Sequence, residues 1–240
     1  MGVFWMSSLQ RNEAVKDQSA SIKDEFIAFI VDEDHPCIMA KTATKFDRIQ
    51  VEAYDEFGSK QTAKQLVADI SSYVESNDSD SNRFESFVAV FPNLSPSTKS
   101  MDEKQFECLL WRQLSLLHHV DSNAWDDNVS KDPADPNFSF SVCGKAFYVV
   151  GLHPNASRAA RRFKYPALVF NFHHQFEKLR EMGSYHKVRD TIRTRDKTQH
   201  GSINPMLRDF GQESEARQYS GRAVDKDWEC PFKHDLGKST

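Results

Sequence analysis

Short apolar segments of the β type, separated by stretches of helical periodicity, constrain the fold of this chain more than any other feature. Five such segments, each bounded by turn-forming or polar residues, lie at 48–54, 84–91, 138–143, 145–151 and 166–172. Apolar residues at helical spacing occupy 59–74, 101–119 and 173–199. The adjacent segments around Cys143-Gly144 are typical of a hairpin. The pattern predicts an α+β fold, with a mainly antiparallel sheet and helices packed on one face.

Composition and the length of the apolar runs favour a globular chain over a membrane protein. Hydrophobic residues make up 39% of the 240 and charged residues 28%, which is enough of each for a core and a solvated surface. The longest nearly apolar run, 146–152, has seven residues, whereas a membrane-spanning helix needs roughly 20. No change in composition marks a linker. We therefore expect one domain over 23–233, with flexible segments at 1–22 and 234–240.

The charge distribution and the cysteines limit which partners and which cellular compartment we expect for this protein. Residues 1–153 have a formal net charge of −10 and residues 154–200 one of +7, so a basic segment that can attract an anion follows an acidic one. An acidic chain with one basic segment argues against a nucleic-acid partner. Four scattered cysteines without a Cys-x-x-Cys pair fit neither a zinc framework nor a disulfide scaffold. Reduced thiols are typical of the cytoplasm, so we expect a soluble cytoplasmic protein without a membrane partner.

His153 is the strongest candidate for a cofactor ligand. It follows a predicted strand and precedes a proline, so the strand fixes the imidazole and the proline ends the sheet. Ser157, Arg158 and Arg162 come next, and the two arginines are one helical turn apart. Arg161 is expected to face the surface or a carboxylate. A haem can take one axial ligand from the protein and has two propionates, so these residues predict a haem with His153 on the iron and Ser157, Arg158 and Arg162 at the propionates.

Two other residues compete with His153 for the iron. His118 ends the long helix predicted over 101–119 and can face the sheet. Cys37 lies at a predicted helix start, where the helix dipole lowers a thiol pKa and favours a thiolate ligand. Other sites have less support, because the sequence has no His-Glu-x-x-His, no Gly-x-Gly-x-x-Gly and no Gly-x-Ser-x-Gly motif.

Several long motifs resemble, in order, the YqcI/YcgG family. They are HPC (35–37), LLHHVD (116–121), DPADPNFSFSVCGKAFYVVGLHPNASRAARRF (132–163) and CPF (230–232). Three more resemble its GntA-like branch, namely PALVFNFHHQFEKLR (166–180), GSINPML (201–207) and SEARQYSGR (214–222). The resemblance extends over about residues 25–233. That branch is associated with haem-dependent N-hydroxylation of guanidino groups in guanitoxin biosynthesis.

The resemblance implies a haem-dependent monooxygenase that uses haem b, dioxygen, an external electron donor and arginine or an arginine derivative. A guanidinium is best matched by a carboxylate. Glu215 is the first candidate for that carboxylate, and Glu213 and Asp121 are the alternatives. Arg217 can bind the carboxylate of the substrate or neutralise the unused glutamate. Tyr219 can donate to the reacting oxygen or simply pack, so Glu215 and Tyr219 are the expected catalytic residues.

Two other functions stay open from the sequence. A haem-binding protein can serve in sensing or carriage, and a cofactor-free interaction domain can keep the same fold. Haem absorbance in the purified protein distinguishes the interaction domain from the two haem-binding functions. Turnover of arginine then distinguishes the oxygenase from the sensing or carrier protein. The sequence leaves open the oligomeric state, a homo-oligomer included.

Overall fold

The computed structural model describes residues 8–77, 83–93 and 100–234. The helices are α1 (Ser8–Val31), α2 (Ile38–Lys45), α3 (Lys60–Ser76), α4 (Glu103–Val120), α5 (His173–Glu181), α6 (Tyr185–His200) and α7 (Ala216–Tyr219). The strands are β1 (Ile49–Ala53), β2 (Ser86–Val90), β3 (Phe140–Val142), β4 (Lys145–Leu152) and β5 (Ala167–Phe172). A 3₁₀ turn, Ala159–Arg161, follows β4. Within these ranges, no helix has the length and apolar character that crossing a membrane requires.

A five-stranded sheet in the order β1-β2-β5-β4-β3 organises the described residues. β1 and β2 pair in parallel, with α3 as the crossover between them. The other three pairings are antiparallel. Cys143 and Gly144 turn the β3–β4 hairpin with φ values of 53° and 71°, as a tight primed turn requires. The α+β class and the mainly antiparallel sheet are therefore confirmed.

Helices cover both faces of the sheet, which corrects the expectation that they pack on one face. One face of β2 and its neighbours packs under α3, α4 and α7. The opposite face packs under α1 and α2. Ile22, Phe26 and Ile30 are spaced four residues apart, and this stripe buries α1 against the second face. β2 is buried along its whole length because it has a layer on each side.

The N-terminal helix begins earlier than the sequence indicates. α1 starts at Ser8, inside the segment 1–22 that we expected to be flexible, and Ile22 within that segment is buried. Residues 1–7 and the predicted tail residues 235–240 lie outside the described residues.

At Gly151 in β4, both α4 and α7 pack closely against the sheet. A Cβ atom there would lie 2.7 Å from Phe106 Cε1, 2.8 Å from Leu110 Cδ1 and 2.8 Å from the backbone oxygen of Tyr219. Two of these neighbours are packed core side chains and the third is backbone, so none can yield cheaply. Only glycine lets helix, strand and C-terminal segment meet here.

We expect Gly151→Ala to destabilise the protein by about 1–3 kcal/mol, because an added methyl group overpacks this contact. Urea denaturation of wild type and variant measures the change in the free energy of unfolding. Gly183→Asn is the control, since Gly183 has a φ of 68° that asparagine tolerates and no atom within 4 Å of the added Cβ. Equal stability of the two variants would contradict this account of Gly151.

Candidate functional site

An open cleft lies where the end of β4, the start of α4 and the segment after α7 come together. Its volume is about 900 Å³, and residues 100–104, Asn155, Ser157, Arg222 and Ala223 line it. This volume is within the range of roughly 300–1,000 Å³ that is usual for small-molecule sites. Asp102, Glu103, Lys104 and Arg222 give the walls charges of both signs.

His153 lies behind the wall of this cleft, directly after β4, and is 1% exposed. Its backbone N–H donates to the carbonyl of Arg161 at 3.0 Å, and its ring stacks on Phe106 with centroids 4.5 Å apart. Neither ring nitrogen has a hydrogen-bond partner among the described residues. Burial lowers the pKa of His153, against the opposing effect of Glu103. The result is a neutral imidazole with a free lone pair, which is the form that ligates metals.

The two arginines assigned to the propionates do not share a face. Residues 155–162 form a loop with one 3₁₀ turn rather than an α-helix, so the predicted geometry is wrong. Arg158 is buried and donates to Asp196 at 2.9 Å and to the Ser202 carbonyl at 2.8 Å. Arg162 donates to the carbonyls at 156 and 157 and stabilises its own loop. Of the three residues proposed to bind the propionates, Ser157 is the one that lines the cleft.

Arg161 is neither on the surface nor paired with a carboxylate, which corrects the sequence expectation. It is buried, and its guanidinium donates to the backbone carbonyls of Gly151, Gln218 and Tyr219. It therefore joins the end of β4 to the C-terminal segment.

Neither His118 nor Cys37 is among the described residues that line the cleft. His118 is near the C-terminal end of α4, about 18 Å along the helix from Phe106. Its Nε2 lies 3.0 Å from the His234 carbonyl, and its ring contacts Trp125. Cys37 caps α2, where its thiol accepts from the Ala40 N–H. Burial raises the pKa of the Cys37 thiol, so desolvation outweighs the helix dipole and the expected thiolate is not favoured.

Glu215 and Tyr219 form a second buried cluster with His173. The Glu215 side chain lies 3.3 Å from the Tyr219 hydroxyl and 3.8 Å from His173 Nδ1. The Tyr219 hydroxyl also accepts from the Phe140 N–H and donates to the Phe147 carbonyl. Burial raises the pKa of Glu215 to about 7, and the nearby His173 opposes the shift.

This second cluster lies too far from His153 to share a small ligand with it. The Tyr219 hydroxyl contacts Phe147 near the start of β4, and His153 follows the end of that strand. From Phe147 to His153 the extended chain advances six residues, or about 20 Å. The structure therefore does not bring Glu215 and His153 together, and the predicted approach of Glu215 to a ligand on His153 is wrong.

The remaining substrate candidates also have other roles. Asp121 ends α4 and accepts from the N–H groups of Asn123 and Cys143, so it fixes a turn. Glu213 is exposed and lies 3.8 Å from Arg208. Arg217 donates to the backbone carbonyls of residues 225 and 228, rather than contacting either glutamate.

Comparison with known proteins identifies the family of this chain. Residues 26–233 match the YqcI/YcgG family. The chain belongs to the YqcI/YcgG family. The uncharacterized protein YqcI of Bacillus subtilis (strain 168) is 24% identical over 208 residues, which cover 82% of this chain and 80% of that relative. No solved structure matches the chain. The resemblance seen in the motifs is thus confirmed at the level of the family.

The structure of this YqcI/YcgG protein shows residues at the two sites that the sequence did not single out. Glu103 and Arg222 line the cleft, although 118 residues separate them, and no local pattern connects them. Phe106 stacks on His153 from the first turns of α4, where it looked like one more core position. His173 had a signal in its pairing with His174, but nothing in the sequence placed it beside Glu215.

We expect Glu215 to make stability fall as pH rises. Between pH 4.5 and about 7 the folded protein keeps a proton on Glu215 that the unfolded chain has released. The free energy of unfolding of the wild type should therefore fall by about 3 kcal/mol across this window relative to Glu215→Gln. Urea denaturation at pH 4 and pH 8, on either side of the window, measures the difference.

Glu213→Gln is the matched control, because Glu213 is exposed two residues away. That variant should follow the pH dependence of the wild type. If the free energy of unfolding of Glu215→Gln shows the same pH dependence as that of the wild type, Glu215 is ionised in the folded protein throughout the window.

Proposed function

We propose that this protein is a haem-dependent oxygenase that N-hydroxylates a guanidino group of arginine or of an arginine derivative. The observation that carries the proposal is the imidazole of His153, buried beside a cleft with neither ring nitrogen hydrogen-bonded to the described residues. Buried polar groups are nearly always paired, so an unpaired one needs an explanation, and a ligand is one that suits an imidazole beside a cleft. Family membership and the motifs around 132–163 support the same function.

The residues at the cleft fit a haem. His153 is a neutral nitrogen ligand of the kind that haem iron takes, and Phe106 fixes the plane of its ring. Ser157 and Lys104 line the same cleft and can donate to propionates, whereas Arg158 and Arg162 already have other partners. Because His153 is 1% exposed, the wall of the cleft has to move before a ligand reaches the ring.

Bound haem would supply the activated oxygen, with electrons from an external donor, that no side chain provides. His153 would hold the haem, and the chain keeps its imidazole in place through β4 and through the hydrogen bond from the His153 N–H to the Arg161 carbonyl. Asp102 and Glu103 put negative charge at the cleft, which favours a cationic substrate such as a guanidinium. The Tyr219 hydroxyl and the Glu215 carboxylate beside it take no part in this cleft, since the hydroxyl contacts Phe147 near the start of β4.

Haem titration of the purified protein tests the assignment. The wild type should bind haem stoichiometrically and show a Soret band, and His153→Ala should lose stoichiometric binding because the axial ligand is gone. His118→Ala is the matched control, since His118 is also a buried histidine but lies at the other end of α4. Circular dichroism checks that both variants fold.

The outcomes separate the functions that the sequence left open. Haem binding together with turnover of arginine, dioxygen and a reductant to N-hydroxyarginine supports the oxygenase. Haem binding without turnover supports a sensing or carrier role, and no haem binding supports an interaction domain. Loss of haem in His118→Ala with normal binding in His153→Ala would move the ligand to His118.

A further inference from the structure

The cleft beside His153 carries a fixed arginine at one side. The Arg222 guanidinium donates to both the carboxylate of Glu107 and the carbonyl of Ala223, and it lines the cleft. Glu107 is buried on α4 and also accepts from the Ser220 hydroxyl. A buried carboxylate needs a cation, so Glu107 holds Arg222 in one orientation at the wall. An arginine ordered in advance binds a ligand carboxylate at little entropic cost.

Glu103 places a second carboxylate one helical turn from Glu107, the partner of that arginine. Glu103 and Glu107 are four residues apart on α4, so their Cβ atoms are about 5–6 Å apart on one face. Glu103 lines the cleft, and one of its oxygens accepts from the Ser157 N–H at 2.9 Å. A carboxylate has room for further donors beyond this one. The cleft thus offers both a cation and an anion to a ligand.

We propose that Arg222 binds the α-carboxylate of the substrate and that Glu103 binds its guanidinium, with Glu107 as the positioning residue for Arg222. The identity of this ligand as a guanidino acid rests on the proposed function. A site for haem propionates alone would not use Glu103, because a carboxylate repels propionates. A ligand with one positive and one negative end uses both residues.

Isothermal titration calorimetry with L-arginine and with agmatine, which has the guanidinium but no carboxylate, tests the assignment. The wild type should bind L-arginine roughly tenfold or more tightly than agmatine. Arg222→Gln should weaken L-arginine to the level of agmatine and leave agmatine unchanged. Glu103→Gln should weaken both ligands equally, since it removes the charge that faces the guanidinium but keeps an acceptor for Ser157.

Removing Arg222 alone leaves Glu107 buried without its cation, so the double variant Glu107→Gln/Arg222→Gln keeps the test valid if the single variant unfolds. The double variant should show the same loss of discrimination. Arg208→Gln and Glu213→Gln are controls, because this exposed pair lies in the same C-terminal segment and does not line the cleft. Both controls should bind the two ligands like the wild type.

The result separates this inference from the proposed function. If the protein binds no haem but discriminates L-arginine from agmatine through Arg222, the oxygenase proposal fails and this site stands. If haem binds and the wild type does not discriminate, or the Arg222 variants discriminate like it, the site is overturned. Loss of haem with unchanged L-arginine binding in the Arg222 variants would also overturn it, since Arg222 would then hold a propionate.

Discussion

The buried guanidinium of Arg161 holds together the part of the molecule on which the cleft depends. It donates to the carbonyl of Gly151 at 3.0 Å, of Gln218 at 3.2 Å and of Tyr219 at 3.3 Å. Each of these carbonyls is buried, and an unpaired one costs about 1–3 kcal/mol. Gly221 follows with a φ of 80°, and a Cβ there would lie 3.3 Å from Arg161 Cγ. The chain can therefore turn at Gly221 and bring Arg222 to the cleft.

The elements of the fold could be predicted from the sequence better than their arrangement. Strand alternation and helical spacing are local properties, so β1, β4, β5 and the turn at Cys143-Gly144 were recognised from short windows. Which strands pair depends on contacts far apart in sequence, and the parallel β1–β2 pair was not foreseen. The second helical layer was missed because Ile22, the first residue of the buried stripe of α1, lies in a segment that we expected to be flexible.

The sequence could single out some residues of the candidate site but not how the fold arranges them. His153 could be found because a strand end followed by proline fixes a side chain whatever the rest of the fold does. The prediction that Arg158 and Arg162 point the same way was wrong, because it assumed an α-helix that the chain does not form there. Glu215 is indeed a buried carboxylate with a pKa raised to about 7, but its distance from His153 depends on the length of β4. Glu103 and Arg222 meet only in the folded molecule.

The position of β5 in the sheet affects how the chain folds during synthesis as well as the final structure. β5 is the last strand in sequence, yet it pairs with β2 on one side and β4 on the other. On the ribosome, those two strands have open inner edges until residues 167–172 have emerged. Open edges invite pairing with other chains, and such long-range pairings form slowly. Synthesis that stalls before Ala167 therefore leaves an aggregation-prone fragment, whereas emergence of six more residues closes the sheet.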